Sequence, residues 1–172
     1  MLFRSNFNSR RLIRYISGLN ETVLPAPFHI FAALNVNARN FHIQLDMAKM
    51  KEANGAEGFL TQPVLSRQAA ENLKLARAEL KGKILGGIMP VVSKRNALFM
   101  NSEIAGIHVD EEIIERYEGA DRAQGEELAV EISTEFAREI APSVDGYYLV
   151  TPFGRTALIG RILDSMRCSG LI

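Results

Sequence analysis

What this 172-residue sequence lacks narrows it first. Cys168 is its single cysteine, so no internal disulfide can form, and nothing resembles a zinc ligand cluster. Charge of either sign is missing in excess: 20 Lys and Arg balance 20 Asp and Glu. That balance excludes the basic footprint of a dedicated nucleic-acid binder. No apolar run approaches the roughly 20 residues needed to span a bilayer. These absences point to a reducing, cytoplasmic setting with no nucleic acid and no membrane as partner. His29, His42 and His108 show no spacing for a triad or metal site. Gly86-Gly87 is not followed by the G-K-S/T of a phosphate cradle, which leaves close backbone packing as its reading.

What is present is ordinary globular composition, 47% hydrophobic and 23% charged, enough for one core. Residues 1–20 carry Arg4, Arg10, Arg11 and Arg14 without an acid, a composition shared with transit peptides. Against that, Leu12, Tyr15, Ile16 and Leu19 fall on one helical face behind a cap at Ser9, as in an amphipathic helix.

Strands and helices then alternate. HIFAAL (29–34) reads as a continuous apolar strand, and 41–53 as a helix with Phe41, Leu45 and Ala48 on one side, stopped by Gly55. A strand around 58–60 precedes a helix with Ala69, Leu73, Ala76 and Leu80, closed by Gly82. KILGGIMPVV (83–92) reads as the next strand, followed by a helix from about Ala97 that ends before Gly106. A short acid-led helix starts near Asp110, with Glu111 and Glu112 in the favourable first turn. A long helix carries Leu128, Ile132, Phe136 and Ile140 as far as Pro142. GYYLV (146–150) is the last strand, before a helix with Leu158, Ile162, Leu163 and Met166. Such alternation predicts an α/β chain with a parallel sheet under helical cover.

Polar residues follow each strand: Asn35, Asn37 and Asn40; Thr61 and Gln62; Ser93 to Asn96; Thr151 and Arg155. In open sheets and barrels alike, ligands collect at the C-terminal ends of parallel strands. A shared site there is the functional expectation.

GAEGFLTQPV (55–64) resembles the A-G-A-x-x-x-x-T-Q strand of the methylenetetrahydrofolate reductases, flavoproteins with a β/α barrel. GGIMPVVSKRNALFM (86–100) is similar to that family's P-G-I-x-P segment and the helix after it. NVNARN (35–40), YLVTPFGR (148–155) and NFNSRRLIRYISGLN (6–20) extend the likeness over nearly the whole chain. The wording around TPF and RNA looks most like reductase domains fused to a homocysteine methyltransferase. The resemblance implies FAD-dependent reduction of 5,10-methylenetetrahydrofolate to 5-methyltetrahydrofolate with NAD(P)H, a step towards methionine. The cofactor carries that chemistry while the protein orients and tunes it.

Residue by residue, the likeness places Gln62 on the pterin ring, where a carboxamide offers donor and acceptor together. It places Asn96 at a folate-contacting amide, Thr151 beside the substrate and Arg155 near the folate tail. From the sequence alone, a cation at a helix N-terminus is unfavourable, which agrees with a nearby ligand anion at Arg155. On the flavin side the matching positions are Ala33, Leu34, Asn35, Asn37 and Lys51; Lys51 also reads as an ordinary surface lysine.

The sequence departs from the family in four places on that side. Leu34 replaces an aromatic, Val36 a proline, and Met50 and His42 stand where charged residues are usual. Length departs further. A complete barrel takes about 250 residues, and 1–172 corresponds to its C-terminal half, a partial (β/α)8 TIM barrel of about four βα units. The catalytic glutamate and the aspartate beside the flavin would lie in the other half. No catalytic residue is therefore expected within this chain. The alternative is a non-catalytic half-barrel that pairs with a separate N-terminal half or is a decayed remnant, with an N-terminal half-barrel or further copies of the chain as its expected partner. An unrelated α/β enzyme with a phosphate ligand at the strand ends is a further one.

Overall fold

The computed structural model describes residues 8–151 and 154–172. Seven α-helices and four β-strands alternate along it: α1 (Ser9–Thr22), β1 (Phe31–Leu34), α2 (Phe41–Ala53), β2 (Gly58–Pro63), α3 (Arg67–Glu79), β3 (Lys83–Ile88), α4 (Lys94–Glu103), α5 (Glu111–Arg116), α6 (Arg122–Ile140), β4 (Gly146–Leu149) and α7 (Thr156–Cys168). A 3-10 turn, Ala141–Ser143, follows α6, its proline ending the helix. The strands form one sheet in the order β1-β2-β3-β4, and every pair is parallel. Four successive βα units in sequential order make a partial (β/α)8 barrel.

One face of the sheet is covered. Ala32, Leu34, Phe59, Ile84 and Ile88 are buried there, with Leu73, Ala76, Ile132, Ile140 and Ile162 from the helices. Gly86 lets α6 close on β3, since a Cβ there would stand 2.7 Å from Ile140 Cδ1. The opposite face, the concave side of a barrel, has no helix over it among the described residues. The register sets Phe31 beside Gly58 and Ala33 beside Leu60, and Leu60 beside Leu85. Phe31 and Ala33 are exposed, Leu60 and Leu85 half-buried. Among the described residues no strand pairs with the outer edge of β1 or of β4.

Local signals account for most boundaries. Ser66 and Ser93 cap α3 and α4 by accepting from Ala69 N and Asn96 N. Asp121 and Gln124 form a capping box on α6. Gly55 takes φ 108 after α2, while Ala56 N returns to the Lys51 carbonyl at 3.0 Å.

Several boundaries differ from the sequence expectation; β1 starts at Phe31 and β2 runs on to Pro63. The cap of α1 is Asn8, whose side chain accepts from Arg11 N, rather than Ser9. Its buried residue is Ile13, whereas Leu12 and Tyr15 are exposed, because α1 packs mainly along α2. β3 stops at Ile88 instead of Val92, since Pro90 has no N–H for a ladder. α4 begins three residues before Ala97, at its serine cap. Gly82 takes no positive φ; it admits the Glu57 carbonyl, 2.8 Å from where a Cβ would be.

Beyond β3 the chain is pinned by Tyr117, which is 3% exposed and donates to the Val91 carbonyl at 2.6 Å. Burial pushes its phenol pKa up, so it stays a donor. Tyr117→Phe should cost about 1–2 kcal/mol by urea unfolding, the penalty of an unpaired buried carbonyl.

Candidate functional site

Because all four strands run the same way, Thr61, Ser93 and Thr151 lie at one end of the sheet. The geometry of that end is set by a break in β2. Lys83 N donates to the Glu57 carbonyl at 3.0 Å. Continued by twos, a parallel ladder would bring Gly87 N to the Thr61 carbonyl, and the N–H of residue 63 to the Gly87 carbonyl. Residue 63 is proline and has no N–H to give.

The register therefore shifts between Leu60 and Pro63. Val64 N takes the Gly87 carbonyl at 3.1 Å, and Gly87 N turns to the Thr61 hydroxyl at 3.0 Å. The Thr61 carbonyl, released from the ladder, accepts from the Tyr148 hydroxyl. Tyr148 reaches it by lying across Gly87, where a Cβ would stand 2.8 Å from its hydroxyl and 3.0 Å from Cζ. Thr61 is buried on the covered face, and Gln62 alternates to the concave side, half-buried. No hydrogen bond engages the Gln62 carboxamide among the described residues. A polar side chain at a strand end, facing the open side and unpartnered, is available to a ligand.

Asn96 is half committed: its Oδ1 accepts from Val92 N at 3.1 Å, which leaves the amide NH2 over. Thr151 is exposed. Pro152 and Phe153, the centre of the TPFG stretch, lie outside the described residues. Arg155 stands at the N-cap position of α7 without a side-chain cap bond, and its guanidinium lies 3.5 Å from the Glu126 carboxylate. The sequence argument for a ligand anion overlooked this acid on α6, which already supplies a counter-charge.

The residues after β1 are largely engaged with the protein itself. Leu34 is 1% exposed and points into the core, away from the concave side, while Ala33 faces it. Asn35 Oδ1 accepts from Asn37 N at 3.0 Å. Asn37 then donates to the carbonyls of Pro63 and Gly106, each at 3.0 Å, tying the β1–α2 turn to the end of β2. Its Oδ1 is buried without a partner among the described residues. Beside it a cleft of about 400 Å³ opens between Arg39, Gln68 and His108.

Lys51 is not a surface lysine. Only 9% exposed, it donates to the Ala33 carbonyl at 2.7 Å. Ile30 O already accepts from Glu57 N, just before β2, so alternation aims the groups of Phe31 and Ala33 at the free edge. Lys51 thus caps that edge. Burial lowers its pKa from 10.5. The folded-state value lies below the unfolded one, so the cost is full below the folded pKa and fades as pH rises toward 10.5. Wild type should therefore gain stability relative to Lys51→Met between neutral pH and about pH 10, read by urea unfolding of both.

Gln62, Asn96, Thr151 and Arg155 thus follow consecutive strands at one end of the sheet, whereas Leu34 is turned into the core and Lys51 lies at the outer edge of β1. Sequence reading missed Tyr148, whose place opposite Gly87 is set by the β3–β4 register and is not displayed by the sequence. No helix among the described residues is long and apolar enough to cross a membrane. No family model and no curated protein matches the chain. Among solved structures, an uncharacterized protein from Clostridium thermocellum that binds two copies of 5-methyl-5,6,7,8-tetrahydrofolic acid is similar in fold, with a TM-score of 0.53 and 16% identity. The match covers 83% of this chain and 53% of that one, so this chain spans about half the length of its structural neighbour.

Proposed function

We propose that this chain binds a reduced folate at the C-terminal ends of its strands, as the folate-binding half of a barrel related to the methylenetetrahydrofolate reductases. The observation that carries this reading is Gln62, a donor–acceptor carboxamide left unpartnered on the concave side. Its support is the family-like T-Q-P stretch and a fold neighbour known to bind 5-methyltetrahydrofolate. Arg155, beside Glu126, and the free NH2 of Asn96 would meet the remaining polar groups of the ligand.

The flavin belongs to the same proposal but gains less from these residues. Leu34 is turned into the core and Lys51 holds a strand edge, which leaves Ala33 and the Asn35–Asn37 turn. These do not make a flavin site by themselves, and most contacts to FAD would come from outside these four units. FAD would supply the hydride chemistry, with NAD(P)H as its reductant. Calorimetric titration with 5-methyltetrahydrofolate tests the folate reading directly. Saturable heat at micromolar to millimolar ligand is expected; none across that range overturns it.

A second reading is favoured by the two free edges and the uncovered face bearing Phe31, Leu60 and Leu85. Here the four units act as a non-catalytic half-barrel docked on a complementary set of strands, in a separate half or in another copy. Sedimentation that shows a folate-free oligomer would favour it.

A further inference from the structure

We propose that Tyr148 is a positioning residue for Gln62, acting through the Thr61–Gln62 peptide; the ligand it serves is the folate of the preceding reading. Pro63 has no N–H for the Gly87 carbonyl, the register shifts, and Gly87 N turns from the Thr61 carbonyl to the Thr61 hydroxyl, which frees that carbonyl. An unpaired carbonyl at that point would let the peptide plane rotate, and the Gln62 side chain would rotate with it. The Thr61 hydroxyl holds one side of the break through Gly87 N at 3.0 Å. The Tyr148 hydroxyl holds the other by donating to the freed carbonyl.

Tyr148 stands on β4 opposite Gly87 and reaches across β3 to the Thr61 carbonyl. Gly87 supplies the gap, since a Cβ would stand 2.8–3.1 Å from the phenol hydroxyl, Cζ and Cε1. Burial raises the phenol pKa, so Tyr148 remains protonated and donating through the neutral range. Its ring, half-buried on the open side, is also part of the surface against which a flat ligand would lie.

The test is a double-mutant cycle read by folate affinity, with Tyr148→Phe, Gln62→Leu and the pair. Tyr148→Phe keeps the ring and removes only the hydroxyl. It should weaken 5-methyltetrahydrofolate binding about tenfold in the wild-type background and hardly at all in the Gln62→Leu background. Equal losses in both backgrounds, or no loss in either, overturn the proposal, because a merely structural tyrosine acts independently of Gln62. A second measurement does not need the ligand. In nitrogen-15 spectra, Gln62 should show a shifted backbone amide and a motionally averaged side-chain NH2 in Tyr148→Phe. Unchanged Gln62 resonances overturn the positioning role even if folate does not bind at all, and that failure of binding counts against the folate reading alone.

Discussion

Phe59→Ala should cost about 3–5 kcal/mol of folding stability, and Leu60→Ala, the next residue on the same strand, roughly 1 kcal/mol. Phe59 is fully buried on the covered face, and truncation leaves a cavity that the β-sheet and helices cannot fill by relaxing. Leu60 points to the concave side and is only half-buried, so its truncation leaves a shallower groove open to water. Urea unfolding of the two variants separates the faces. The contrast also reports on what covers the concave side. If complementary strands close over it in solution, Leu60 becomes a core residue and its truncation should cost about 2–5 kcal/mol. A small loss places Leu60 at an open face, and a large loss favours the docked half-barrel.

The architecture was legible because each of its signals is local. Strand cores such as HIFAAL and GYYLV are short apolar runs. The helices between them repeat at three and four residues, and a parallel sheet is the arrangement in which such units bury both. The sequential strand order follows from the same alternation. Boundaries were less legible wherever two neighbouring residues offered the same chemistry. Asn8 and Ser9 are both good caps, and in the structure it is the Asn8 side chain that accepts from Arg11 N. IMPVV reads as strand or as extended coil alike, and Pro90 decides it by lacking a donor.

The site was legible in part, for a related reason. Gln62 is marked by its own position after an apolar run and before a proline. Tyr148 is not, because its partner is a backbone carbonyl 87 residues earlier. That pairing exists only once β3 has placed Gly87 between them. Lys51 and Arg155 show the converse. Their charges suggested ligands, and the fold also gives each a partner within the chain, the Ala33 carbonyl for Lys51 and the Glu126 carboxylate for Arg155. A charge in the sequence records a need for a partner, and the fold determines whether that partner is a ligand or the chain.

Gln62→Leu should weaken 5-methyltetrahydrofolate binding by roughly ten- to a hundredfold and leave the fold intact. The magnitude is that of a buried polar pair left unmatched, about 1–3 kcal/mol. A pterin edge presents a donor beside an acceptor, and a carboxamide answers both at once. Leucine has nearly the same volume, so the ligand would still fit, but its polar edge would lose its water and gain no partner. Stability should change by less than about 1 kcal/mol, because the Gln62 side chain makes no hydrogen bond that the fold depends on. Gln62→Glu provides the sharper control. It retains the acceptor and removes the NH2, so it should recover part of the affinity if the ligand edge offers mainly donors. Titration of wild type and both variants, beside their urea midpoints, separates recognition from folding. Equal affinity in wild type and Gln62→Leu would make Gln62 an ordinary polar residue at a strand end and move the folate site away from β2.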